Sequence, residues 1–161
     1  MTQEQPFVRP TARAVIIDPD SRVLLFRVSN PNGDGRIFWI TPGGGVQGTE
    51  TYEEAIRREI WEETGVDEFK LGPCVWERTA TSQFSARWIQ FVERYFVAWV
   101  PHAEVVAENR EAAELTFLQE HRWFSLEELR AHPERVVPRD LSSLVEPILR
   151  GELPAEPLAV E

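Results

Sequence analysis

A run of glycines that leads directly into a helix, Pro42 to Val66, constrains this chain more than any other stretch (P-G-G-G-V-Q-G-T-E-T-Y-E-E-A-I-R-R-E-I-W-E-E-T-G-V). Gly43, Gly44 and Gly45 carry no Cβ, so the backbone has unusual freedom there and a ligand can approach it closely. Thr51 followed by Glu54 predicts a capping box at the start of a helix. Gly65 predicts its C-terminal stop. The residues between include no Gly or Pro and are mostly acceptable helix formers.

The faces of that helix carry the functional information. At about 100° per residue, Tyr52, Ala55, Ile56 and Ile60 share one apolar sector. Glu59 and Glu63 fall inside the same sector, and Glu62 lies at its border. Glu53, Glu54, Arg57 and Trp61 point away. A helix that only packs would not place two carboxylates among its apolar residues, because a buried carboxylate is costly unless paired or bound to a metal. Glu59, Glu62 and Glu63 stand at i, i+3 and i+4, so their oxygens can converge. Three carboxylates with nearby loop carbonyls suit a hard cation such as Mg²⁺. The other reading of the same spacing is a solvated acidic face paired with arginines.

Gly44, five residues, Glu50, seven residues, Arg58-Glu59, Ile60, one residue, Glu62-Glu63, one residue, Gly65, Val66: this pattern resembles the complete Nudix box, with every fixed position filled. The resemblance implies an α/β fold class, an α/β/α sandwich around a mixed sheet. It implies a hydrolase that uses Mg²⁺, with Mn²⁺ able to substitute, to cut a pyrophosphate bond in a nucleoside diphosphate linked to another group. It implies that Glu59, Glu62 and Glu63 hold metal with the Gly43 carbonyl. Arg58 then orients the glutamates, and Glu50 is structural. Glu59 is the first candidate for general base. Because the family varies here, Glu120 is a second candidate for an acidic catalytic residue, followed by Glu114 and Glu111. An exposed loop carboxylate is the alternative for all three.

The chain of 161 residues fits one domain, 1–161, with about 1–9 and 152–161 as loose tails or packed against a neighbour. Its net charge of −10 argues against a long nucleic-acid partner but not against a small nucleotide, because bound cations invert local charge. The lone Cys74 excludes an internal disulfide and reads as a small buried residue. The sequence has no apolar run of membrane-spanning length and no apolar signal core, so no membrane partner and a cytoplasmic location are expected. A homodimer is compatible with all of this.

Along the chain, Thr11–Ile17 and Arg22–Val28 predict a hairpin around the turn Asp18–Ser21. Ser29–Arg36 reads as a loop, and Ile37–Thr41 as a strand feeding the glycines. Arg13 and Arg27, unusual in apolar strands, are candidate phosphate ligands or exposed strand residues. Trp39 is a core residue or part of a base pocket. Cys74–Thr81 predicts a strand, Ser82–Arg87 a turn, and Trp88–Val100 a strand long enough to require a bend or bulge. His102–Ala113 reads as loop. Leu115–Leu118 and Arg122–Phe124 read as short strands, Ser125 and Glu128 as a second capping box, and Asp140–Arg150 as a helix stopped by Gly151. Two functions compete: a pyrophosphohydrolase, and a non-catalytic nucleotide-binding or regulatory domain on the same fold. The intact carboxylate set favours the first. Some family branches carry a proline or tyrosine downstream of the box. Thr79–Phe84 contains neither, so the ADP-ribose and dinucleoside polyphosphate readings gain no support, and the particular nucleoside diphosphate derivative is not given by the sequence.

Overall fold

The computed structural model describes residues 5–29, 35–106 and 117–161. Its strands are β1 (Phe7–Ile17), β2 (Val23–Ser29), β3 (Ile37–Ile40), β4 (Gly43–Gly45), β5 (Lys70–Phe84), β6 (Arg87–Trp99), β7 (Phe117–Phe124), β8 (Val136–Val137) and β9 (Leu158–Ala159). The helices are α1 (Tyr52–Thr64), α2 (Leu126–Ala131) and α3 (Leu141–Leu149). All nine strands join one mixed sheet, ordered β8-β3-β2-β1-β6-β5-β9, with β4 on β1 and β7 on β2. Its first and last strands approach each other, since the Arg139 N–H donates to the Glu161 carbonyl at 2.6 Å.

Alternation along the strands divides the core into two layers. Ala12, Ala14, Ile16, Leu24 and Phe26 pack with Ala55, Ile56 and Ile60 of α1 on one side. Val15, Ile17, Val23 and Leu25 pack with Leu129, Leu141, Val145 and Ile148 of α2 and α3 on the other. This is the expected helix–sheet–helix arrangement. Ile56 and Ile60 are fully buried, each contributing about 1.5–3 kcal/mol against exposure. Among the described residues, no helix is long and apolar enough to cross a membrane.

The edge of β1 positions the glycines. It pairs with β2 at Ile17↔Val23, and nearer its N-terminus with β4, at Arg13↔Gly43, Ala12↔Gly44 and Thr11↔Gly45. The glycines expected as a loop are therefore a short strand, held where β2 diverges from β1. Gly43 has φ 150°, and a Cβ there would lie 2.1 Å from the Ala12 carbonyl oxygen. Gly43→Ala is expected to destabilise the protein by about 1–3 kcal/mol, a thermal-melting measurement.

Other elements differ from expectation in extent. The turn expected over Ser82–Arg87 shrinks to Ser85-Ala86, with Ser85 at φ 56°. The irregularity expected in the long strand falls instead on its partner, where the register shifts between Leu71, Cys74 and Trp76. The two short strands around Gln119–His121 are one strand, interrupted by a register shift opposite Arg27 and Val28. The C-terminal tail adds β9 to this chain's own sheet, with Trp76↔Leu158 and Glu77↔Ala159 in register. Most of the Ser29–Arg36 and His102–Ala113 loops lies outside the described residues.

Candidate active site

α1 forms where its sequence predicts, with half of the expected capping box: the Glu54 side chain meets the Thr51 hydroxyl at 3.2 Å and not the Thr51 backbone N–H. Thr51 Oγ1 accepts the Glu54 N–H at 3.1 Å, and Gly65 closes the helix in the left-handed region. Ala55, Ile56, Glu59, Ile60 and Glu63 are buried, while Glu53, Glu54, Arg57 and Trp61 are exposed. Burial thus follows the face drawn from the sequence, carboxylates included. α1 packs on β1 and β4, so those carboxylates meet the glycine strand.

Arg58 organises the cluster. Its guanidinium holds Glu50 through two bonds, of 2.8 and 3.0 Å, and donates to the Gly45 carbonyl at 3.0 Å. The nitrogen left over donates to Glu59 at 2.8 Å and to Glu62 at 3.2 Å. The hydrogen bond to Glu50, reinforced by Glu59, raises the Arg58 pKa well above its ordinary value. Arg58 in turn holds Glu50 below the usual carboxylate range. Glu59 moves the opposite way. Burial raises its pKa despite the hydrogen bond from Arg58.

Glu63 accepts the Gly43 N–H at 2.9 Å, joining helix to glycine strand. A Cβ on Gly44 would sit 2.3 Å from Glu59 Oε1, so Gly44 leaves the space that the carboxylate fills. As the side chains stand, no three His, Cys, Asp or Glu groups among the described residues converge in ligating position. The reason is visible: Glu59 and Glu62 turn to Arg58, and Glu63 to Gly43. The donors nevertheless fit a hard divalent cation. They are all oxygens, and a cation would favour the ionised form of Glu59 that burial disfavours.

The arginine and tryptophan candidates are placed differently. Arg13 donates to Glu93 at 3.1 Å and to the carbonyls of Thr41 and Gly43 at 3.3 and 3.4 Å. It therefore braces the glycine strand instead of standing as an exposed strand residue. Burial lowers its pKa, but Glu93, Tyr95 and Glu63 outweigh that, and the net shift is upward. Arg27 pairs with Glu134 at 3.2 Å. Trp39 is a core residue, not a base-pocket wall. It is 3% exposed, its ring meets Phe124 and His132 edge-on, and its Nε1 donates to Glu134 at 3.2 Å. Glu120 is exposed on β7 and stands 3.8 Å from Arg27. Glu111 and Glu114 lie outside the described residues.

Sequence reasoning missed Glu93. It is 5% exposed and joins Arg13, Arg78 at 2.7 Å and the Tyr95 hydroxyl at 3.1 Å. The signal was a lone glutamate in the apolar run F-V-E-R-Y-F, but only strand register brings the two arginines to it. Arg9 was also missed; its guanidinium lies against Gly45.

Fold and site together define a domain in which a glycine strand faces a helix bearing three carboxylates and their arginine. A family model described as NUDIX domain matches residues 8–145. The chain belongs to the Nudix family of pyrophosphate-bond hydrolases. It is 35% identical over 71 residues to a MutT-like protein of Streptomyces ambofaciens, a match covering 41% of this chain and 43% of that relative. A MutT protein structure from Methanosarcina mazei Go1 aligns with TM-score 0.65 at 22% identity, over 92% of this chain and 98% of that one. A MutT NUDIX hydrolase from Burkholderia pseudomallei aligns with TM-score 0.57 at 26% identity, over 88% and 97%.

Proposed function

We propose that the protein hydrolyses a pyrophosphate bond in a small nucleoside diphosphate derivative with Mg²⁺ as cofactor. The observation that carries this reading is the arrangement around Arg58. One guanidinium orients Glu59 and Glu62 while Glu63 is tied to the Gly43 N–H, all on the face turned to the glycine strand. Glu59, Glu62, Glu63 and the Gly43 carbonyl would hold the cation. When bound, it neutralises phosphate oxygens and stabilises the leaving group.

The protein's own residues supply the rest. Water attacks phosphorus, the bridging P–O bond breaks with its electron pair going to the leaving phosphate, and the water proton goes to a carboxylate. Glu59 is proposed as that base, because its carboxylate, oriented by Arg58, lies against the glycine strand where the cation and its water would sit. Arg9, whose guanidinium lies beside Gly45, is proposed to contact a phosphate.

Activity is expected to vanish in excess chelator and to return with Mg²⁺ or Mn²⁺, since the proposed ligands are all oxygen. Phosphate release from a panel of nucleoside triphosphates, dinucleoside polyphosphates and nucleotide sugars measures it. Full turnover in chelator, or no turnover of any compound with metal, contradicts the reading.

A further inference from the structure

Glu93 is a buried carboxylate that the proposed chemistry leaves unused. It stands in the apolar strand β6 and accepts from three donors. Arg78 Nη1 donates to Oε1 at 2.7 Å, while Arg13 Nε and the Tyr95 hydroxyl donate to Oε2 at 3.1 Å each. Three donors fix the carboxylate in one orientation. Its two arginines come from the strands on either side, β1 and β5. Withdrawing such charges from water costs free energy that their attraction does not reliably return, so the cluster is weak evidence for a purely stabilising role.

What Glu93 fixes on the side of the glycine strand is Arg13. With Nε tied to Glu93, the guanidinium plane is set, and Nη1 falls on the carbonyls of Thr41 and Gly43, at 3.3 and 3.4 Å. Both backbone polar groups of Gly43 are then held by side chains, the N–H by Glu63 at 2.9 Å and the carbonyl by Arg13.

The third nitrogen is different. Arg13 Nη2 has no hydrogen-bond partner among the described residues, yet it is open to solvent, in a side chain that keeps 17% of its surface. An unused guanidinium nitrogen is therefore held beside a carbonyl proposed to ligate the cation. Forked guanidinium donors match phosphate oxygens, and pre-setting the fork reduces the side-chain freedom lost when a phosphate arrives.

We propose that Glu93 is a positioning residue for substrate binding: it fixes Arg13 so that Nη2 donates to a phosphate oxygen of the pyrophosphate. The proposal rests on the pyrophosphohydrolase reading for its ligand, but its test reads binding and needs no turnover. Imidodiphosphate, a non-hydrolysable pyrophosphate, is titrated calorimetrically into the protein in saturating Mg²⁺. Arg13→Gln is expected to weaken binding about 10-fold, the loss of one charge-assisted contact. Glu93→Gln is expected to weaken it by a similar factor although it touches no ligand. The double variant Arg13→Gln/Glu93→Gln is expected to bind no more weakly than Arg13→Gln alone, because one residue acts through the other. Arg78→Gln removes the other arginine of the same carboxylate. It is expected to lower the melting temperature and to keep affinity within about 2-fold of wild type. If Glu93→Gln alone does not fold, Glu93→Gln/Arg78→Gln, which leaves no Arg78 charge without its carboxylate, carries the same expectation of weakened binding.

A merely structural ion pair predicts the opposite pattern, with the Arg78 and Arg13 variants alike. Equal losses in those two, additive losses in the Arg13/Glu93 double variant, wild-type affinity without Glu93, or no binding of imidodiphosphate by the wild-type protein overturns the proposal. Failure to cleave any pyrophosphate while the binding pattern holds counts against the hydrolase reading alone.

Discussion

Glu63→Gln is expected to leave the protein folded and to lower turnover by about 100-fold or more, beyond the 10- to 100-fold typical of residues that only support a metal ligand. Glu63 accepts the Gly43 N–H, and a glutamine carbonyl oxygen can accept the same bond. The strand–helix junction therefore survives. What is lost is one negative charge in a three-carboxylate cluster, which is what a divalent cation requires. Two electrostatic effects on the metal-free protein oppose each other. Repulsion from neighbouring glutamates is relieved, but the attraction between Glu63 and Arg13 is lost. The melting temperature without metal should thus change little, by less than about 1 kcal/mol in stability. Steady-state kinetics alongside calorimetric melting decides the matter. An unfolded variant, or one with wild-type turnover, removes Glu63 from the metal site.

Arg58→Ala against Arg57→Ala is the second large contrast, between adjacent residues of identical chemistry. Arg57 is exposed, with its guanidinium 5.8 Å from the Phe69 ring centroid, at the outer limit of a useful contact. Its loss should stay within about 0.5 kcal/mol and near wild-type rate. Arg58 serves Glu50, Glu59, Glu62 and the Gly45 carbonyl at once. Without it, Glu59 loses the hydrogen bond that offsets its burial, and Glu62 loses its orientation. Turnover should fall about 10- to 100-fold, with substrate binding less affected. The structure adds a stability cost of about 2 kcal/mol. That is less than for a fully buried pair, because the arginine remains partly solvated. Equal kinetic losses for the two variants would contradict the assigned helix face.

The sequence alone was sufficient for α1, because its information is local. A cap at Thr51, a stop at Gly65 and a 3.6-residue period determine which side chains face inward, and burial of Glu59 and Glu63 follows. The same holds for α2, whose Ser125–Glu128 capping box is complete. The layered helix–sheet–helix fold was legible through the Nudix box, whose motif spans only residues 44–66.

Strand partners were not legible, because hydrogen bonding between strands joins residues far apart in sequence and composition carries no register. Glu93 stands opposite Arg78 across an antiparallel pair, and the parallel pairing of its strand with β1 brings Arg13 to it at 3.1 Å; these two arginines explain why a charged residue stands in a buried strand. The same pairing holds Arg13, a candidate phosphate ligand, against the Gly43 carbonyl, and packing against Phe124 and His132 puts Trp39 in the core. Even the glycines needed the tertiary structure. Their lack of side chains permitted close approach to the backbone, but β1 and Glu59 occupy that space on two sides. The sequence thus determined the chemistry of the helix face. Only the tertiary structure decided which groups surround it, because those contacts depend on how distant strands align.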